Sequence, residues 1–121
     1  MEGLQVPGGH TARSYYDADG WVAHVMTNAW GFTSPGEETS WGSTIIGFAW
    51  LCQHIWEHYL YTGDAEFLRR MYPMMKGASE FYLSMLVYEP KHGWLVTAPS
   101  NSPKRRWRNG LVPCLQDVAV G

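Results

Sequence analysis

The sequence predicts an all-α fold built around one helical hairpin, and three observations carry that prediction. Residues 43–61 place Ile45, Phe48, Ala49, Cys52, Ile55, Trp56 and Tyr59 at three- and four-residue spacing, so that they fall on one stripe of a helix. Residues 64–88 repeat the pattern with Phe67, Met71, Met75, Ala78, Tyr82 and Met85. Between the two stripes stand Gly63 and Asp64. A glycine stops a helix because it enters the left-handed region without a Cβ penalty, and an aspartate starts one by accepting the free amide hydrogens of the first turn. Helix, tight turn and antiparallel helix make a hairpin.

The other elements are read in chain order. Residues 1–14 contain Pro7, Gly8 and Gly9 and are predicted to be irregular. Residues 15–41 carry Gly20, Gly31, Pro35 and Gly36 among scattered aromatics, which predicts loop with at most a short helix. Pro73 lacks an amide hydrogen and its ring crowds the carbonyl of Arg69, so a break is expected there, with a second segment over 73–88. "EPKHGW" at 89–94 is a turn signal, and "WLVT" at 94–97 is a short extended piece. The hairpin has more apolar positions than this chain can cover, Trp50 off the main stripe among them. That surplus points to one section of a larger helical protein.

Composition narrows the function. A net charge of −2 argues against a nucleic-acid surface. Only 17% of residues are charged while 15% are aromatic, with seven Trp and seven Tyr. Such side chains fill a core or line a groove for flat, weakly polar ligands, sugars among them. Two cysteines, Cys52 and Cys114, do not make a disulfide framework. Apolar runs fall short of the roughly 18 residues that span a bilayer, so no membrane partner is expected. The start "MEGLQVPGGH" lacks a charged segment followed by an apolar core, so no signal peptide is expected from it.

Four groups of residues have the chemistry for a site. His54, Glu57 and His58 fit H-x-x-E-H, the spacing of one zinc peptidase class; two histidines one turn apart grip a metal beside a glutamate base. A match of three fixed residues arises easily by chance, and the competing reading is the wet side of a helix. In "AHVMTNAWG", His24, Thr27, Asn28 and Trp30 set hydrogen-bonding groups beside a stacking ring. They read equally well as loop capping and core filling, as does Trp41. Glu37 and Glu38 are adjacent carboxylates, whereas a glycosidase needs two that face each other across a bond. A solvated loop fits them better. Lys104, Arg105, Arg106 and Arg108 surround Trp107 and have the charge to touch phosphates, but four cations in an acidic chain fit a solvated tail better.

Four blocks carry a resemblance. "GWVAHVMTNAWGFTSPGEETSWGS" (20–43), "AWLCQHIWEHYLYTGDAEFL" (49–68), "YPMMKGASEFYL" (72–83) and "GWLVTAPSNSP" (93–103) resemble glycoside hydrolase family 95, best known for α-L-fucosidases acting on 1,2-linked fucose, with some members favouring L-galactose. The resemblance covers residues 8–103. It implies that residues 1–103 are part of an (α/α)6 barrel, a ring of helical hairpins of which the present one is a single unit. It implies an inverting hydrolase of terminal α-linked fucose, with a fucosylated oligosaccharide or plant or host glycan as partner and no cofactor or metal. Relatives are often secreted or periplasmic; the compartment of this protein is left unassigned.

The resemblance also implies a site. Loops 24–42 and 97–104 would lie in the sugar pocket, with His24, Thr27, Asn28, Trp41, Ser100 and Ser102 as its substrate-binding candidates. Trp41 leads, since an aromatic ring packs on the apolar methyl-bearing face of fucose. In the family, the loop matched by Pro99, Ser100, Asn101, Ser102 and Pro103 is followed by a glutamate, the general acid that protonates the leaving oxygen. Here the next residue is Lys104. An ammonium with a pKa near 10.4 is a poor acid at neutral pH, and loss of a general acid costs about 10²–10⁴ in rate. No catalytic residue is therefore assigned. The family's water-holding asparagine pair and its activating aspartate would fall before Met1 and after Gly121. Residues 104–121 read as a divergent or truncated tail, whose origin as a frameshift, a decayed copy or a variant loop stays open. Two further readings stand beside this one: a carbohydrate-binding remnant without catalysis, and the zinc peptidase on His54, Glu57 and His58.

Overall fold

A computed structural model describes residues 1–37, 42 and 44–98. After a 3-10 turn at Glu2–Leu4 come helices α1 (Gln5–Tyr16), α2 (Ile46–Thr62) and α3 (Ala65–Ser84), then strands β1 (Leu86–Tyr88) and β2 (Leu95–Thr97). The described chain is mostly helical, as the apolar periodicity requires. Trp41, Ser43, Ser100, Ser102, Lys104 and the rest of the tail lie outside the described residues.

The α2–α3 turn forms as its sequence dictates. Gly63 adopts φ 68°, and its N–H returns to the Tyr59 carbonyl at 2.8 Å. Asp64 Oδ1 accepts from the Phe67 amide at 2.9 Å, capping α3. Thr62 braces the turn: its hydroxyl donates to the His58 carbonyl at 2.7 Å and accepts from the Asp64 amide at 3.2 Å.

Three expectations are corrected. Residues 5–16 are helix, not irregular chain. Pro7 sits in the first turn, where an amide hydrogen has no helical partner to lose. Gly8, a poor helix former, is kept because α1 must pass close to the backbone at Trp21 and Val22: a Cβ at residue 8 would come within 2.8 Å of the Val22 carbonyl oxygen. The second correction is that α3 runs unbroken through Pro73. Pro73 and Arg69 are both exposed, so the one carbonyl deprived of a helical donor faces water and the lost bond does not end the helix. The third is that α3 stops at Ser84 rather than 88. Leu86, Val87 and Tyr88 pair antiparallel with Thr97, Val96 and Leu95, and that ladder takes the backbone groups a further helical turn would need.

The buried face of α3 is also rotated from the expected stripe. Met71, Met74, Gly77, Ala78 and Phe81 are buried, while Met75 and Tyr82 are half-buried. The cause is Trp21, which inserts against α3 from the loop after α1. Its amide donates to the Gly77 carbonyl at 3.2 Å, and its indole Nε1 donates to the Met74 carbonyl at 2.9 Å. A Cβ on Gly77 would lie 2.8 Å from Trp21 Cδ1, and one on Gly20, at φ 74°, would collide with the Gly77 carbonyl oxygen. Two glycines far apart in sequence thus admit one indole. Around it pack Ala23, Cys52, Ile55, Met71, Met74 and Ala78. A second cluster of Ala12, Ala18, Val22 and Phe81 ties α1 to the end of α3.

Candidate functional site

The loop after Trp21 turns into a set of hydrogen bonds centred on His24, which is fully buried. Its Nδ1 lies 2.7 Å from the Thr33 carbonyl oxygen, and its Nε2 lies 2.6 Å from the Tyr16 hydroxyl. A carbonyl oxygen only accepts, so Nδ1 carries the ring hydrogen and Nε2 accepts from Tyr16. The two rings stack, with centroids 5.7 Å apart and planes 17° from parallel. Burial lowers the His24 pKa from 6.5, against the opposing pull of its bond to Thr33, so the ring is neutral at pH 7. Burial, then the neighbouring Tyr15, raises the Tyr16 pKa above 10.0. The network continues to α1 through a 2.7 Å bond between the buried Thr11 and Thr33 hydroxyls.

From this anchor the chain turns outward. The Thr27 amide donates to the His24 carbonyl at 3.1 Å. The Thr27 hydroxyl oxygen is buried and has no hydrogen-bond partner among the described residues. Asn28 caps the next turn: its Oδ1 accepts from the amides of Trp30 at 3.0 Å and Phe32 at 3.3 Å. Gly31, at φ 79°, closes that turn with a 3.1 Å bond to the Asn28 carbonyl. Asn28 is exposed, and Trp30 is 91% exposed. A fixed polar turn with an unpaired buried hydroxyl and an uncovered indole suits the edge and face of a sugar ring.

The second candidate loop is approached through the β1–β2 hairpin. Glu89 organises its turn, accepting from the Lys91 amide at 2.7 Å and from the His92 amide at 2.8 Å and ring at 3.0 Å. Desolvation works to raise its carboxyl pKa, but these donors outweigh it and hold the pKa below the usual value. Gly93 adopts φ 72° to close the turn, and His92 stacks on Trp94 with centroids 4.7 Å apart. Val96 and Thr97, at the end of β2, are buried.

The candidates thus fall into three groups. His24, Thr27 and Asn28 come together on one short loop. Trp41, Ser100 and Ser102 lie outside the described residues, as do Lys104 and the basic run. His54, Glu57 and His58 lie on the exposed side of α2, where His54 Nδ1 meets Glu57 Oε2 at 2.8 Å and the His58 ring packs on Phe67 at 4.3 Å. Among the described residues, no group of three or more His, Cys, Asp or Glu side chains is placed to hold a metal. No helix among them is long and apolar enough to cross a membrane.

Tyr16, Thr11 and Thr33 escape the sequence reading. Tyr16 precedes His24 by eight residues, but the pairing becomes visible only once residues 5–16 are known to be a helix.

Helical content and polar loops alone name no family; sequence comparison does. Residues 1–114 match the glycosyl hydrolase family 95 catalytic domain, and the chain belongs to that family. The match runs past Pro103 and includes Lys104. The chain is 45% identical over 106 residues to alpha-L-fucosidase 2 of Arabidopsis thaliana, covering 86% of this chain and 12% of that protein. It is 38% identical over 101 residues to the probable alpha-fucosidase A of Aspergillus niger, covering 80% of this chain and 13% of that protein. The chain therefore spans about an eighth of the length of these relatives.

Proposed function

We propose that this chain forms part of the sugar pocket of an α-L-fucosidase-type glycoside hydrolase, which removes terminal α-linked fucose or L-galactose from glycans with inversion. The observation that supports it most is the match of residues 1–114 to the family's catalytic domain, together with fucosidases among its relatives. In this reading the hairpin of α2 and α3 is one unit of an (α/α)6 barrel, and loops 24–42 and 97–104 face the substrate. Thr27 and Asn28 supply hydrogen bonds, Trp41 packs on the fucose methyl face, and Ser100 and Ser102 border the leaving group. His24 stands behind them, since both its ring nitrogens are engaged within the chain.

Lys104 occupies the position from which the family's glutamate delivers a proton. An ammonium neither donates readily at neutral pH nor favours the positive charge that develops at the anomeric carbon. The chain on its own accordingly binds sugar without cleaving it. Titration with 2′-fucosyllactose, followed by tryptophan fluorescence, is expected to respond at millimolar sugar, with no fucose released. A flat titration would sink the pocket assignment. Fucose release by the stringently purified chain would sink the reading of Lys104.

A further inference from the structure

The candidate sugar loop is held by α1 as well as by its own residues. Its first half hangs from α1 through two parallel connections, Tyr16 to His24 and Thr11 to Thr33. The two branches meet, because the Thr33 carbonyl accepts from both the His24 amide, at 3.3 Å, and the His24 ring, at 2.7 Å. Loop 24–33 is thereby closed on itself at its base, with Thr27, Asn28 and Trp30 on the span between.

The directions of the two bonds to the His24 ring follow from the chemistry of their end groups. Thr33 offers a carbonyl, which forces the hydrogen onto Nδ1; the free lone pair on Nε2 then requires a donor, and Tyr16 is that donor. Phenylalanine at 16 would preserve the stacking and remove the donor, leaving a buried acceptor without a partner. In the other tautomer the bond to the Thr33 carbonyl is lost, while the Tyr16 hydroxyl turns from donor to acceptor.

We propose that Tyr16 is a positioning residue: with the His24 tautomer set by the Thr33 carbonyl, the Tyr16 hydroxyl donates to Nε2, fixes the ring and so sets the loop that carries Thr27 and Asn28. The role of that loop in sugar binding rests on the function proposed above; the lock itself does not. Tyr16 acts on the loop through the histidine ring, which it both bonds and stacks on.

The experiment uses the 121-residue chain labelled uniformly with ¹⁵N. Two-bond ¹⁵N–¹H correlation spectra distinguish the tautomers directly. The proposal expects His24 to be almost wholly Nδ1-protonated, Tyr16→Phe to move the Nε2 shift, and amide exchange at Thr27 to quicken about tenfold, the equivalent of one net hydrogen bond. Exchange at Trp21, anchored separately on α3, stays unchanged. A His24 ring that is Nε2-protonated, or averaged between tautomers as in an unfolded histidine, overturns the proposal whether or not the variant folds. So does equal acceleration at Thr27 and Trp21, which would make Tyr16 a packing residue only. None of these readings depends on a sugar, so a failed titration with 2′-fucosyllactose leaves the lock standing and counts against the function alone.

Discussion

The two faces of α3 have similar apolar character and opposite fates. One face receives Trp21, buried to 2% exposure, whose indole is bonded at Nε1 and fitted between Gly8 and Gly77. The other, shared with α2, is a groove lined by Cys52, Trp56, Leu60, Met75, Tyr82 and Leu83, with Leu60 63% and Leu83 68% exposed. Among the described residues, the first face is satisfied and the second is not. Apolar composition therefore does not by itself locate a core. What decides is whether a neighbouring segment presents a shape and a set of hydrogen-bonding groups that fit.

The contrast can be broken most directly at Trp21. Trp21→Ala removes the indole from the filled face and is expected to cost about 3–5 kcal/mol, read by denaturant unfolding of the chain. A loss no larger than that of an exposed aromatic would show that the junction does not hold the fold. Gly20→Ala attacks the same contact from the backbone. At φ 74° and against the Gly77 carbonyl, an added methyl is expected to cost about 1–3 kcal/mol, and a neutral outcome would mean that loop and helix do not approach so closely.

A smaller effect is expected at the turn that sets the two helices side by side. Asp64→Ala deletes the cap on the Phe67 amide and should cost about 1 kcal/mol. Asp64→Asn, which keeps an acceptor, should recover most of it in the same melt. The His24 network adds a pH dependence. Its folded pKa is lowered below 6.5, so the unfolded chain binds the proton more tightly. The stabilisation is fully present above pH 6.5 and fades as pH falls below it. His24→Gln should flatten that slope in melts across the acid range, and a slope that survives would assign it to other groups. Least of all is expected on the open face. Leu60→Ser and Leu83→Ser should shift stability by no more than about 0.5 kcal/mol while raising the solubility of the chain. A loss near that of Trp21→Ala would mean that the groove is already covered.

Residues decided by near neighbours were legible in advance. Gly63 and Asp64 act on groups within four residues of themselves, so the α2–α3 turn could be placed from the letters alone. The extended piece at Leu95–Thr97 and the turn before it were legible for the same reason. The candidate loop was legible as a cluster of polar groups among aromatics, and the resemblance of its sequence block to a glycoside hydrolase family gave it a proposed role. How its members divide the work was not. His24 looks like Asn28 in a list of polar residues, yet one is buried with both nitrogens engaged and the other is exposed on a turn.

Local chemistry, then, settled where the two long helices meet and which family the chain belongs to, because caps, stripes and motif blocks are properties of consecutive residues. The helix at 5–16, the rotated face of α3 and its end at Ser84 were settled only in three dimensions. Each depends on a contact between segments distant along the chain: Gly8 with Val22, Trp21 with Met74 and Gly77, Leu86 with Thr97. Propensity scores a residue against its neighbours in sequence, whereas close packing and buried hydrogen bonds score it against whatever the folded chain brings alongside.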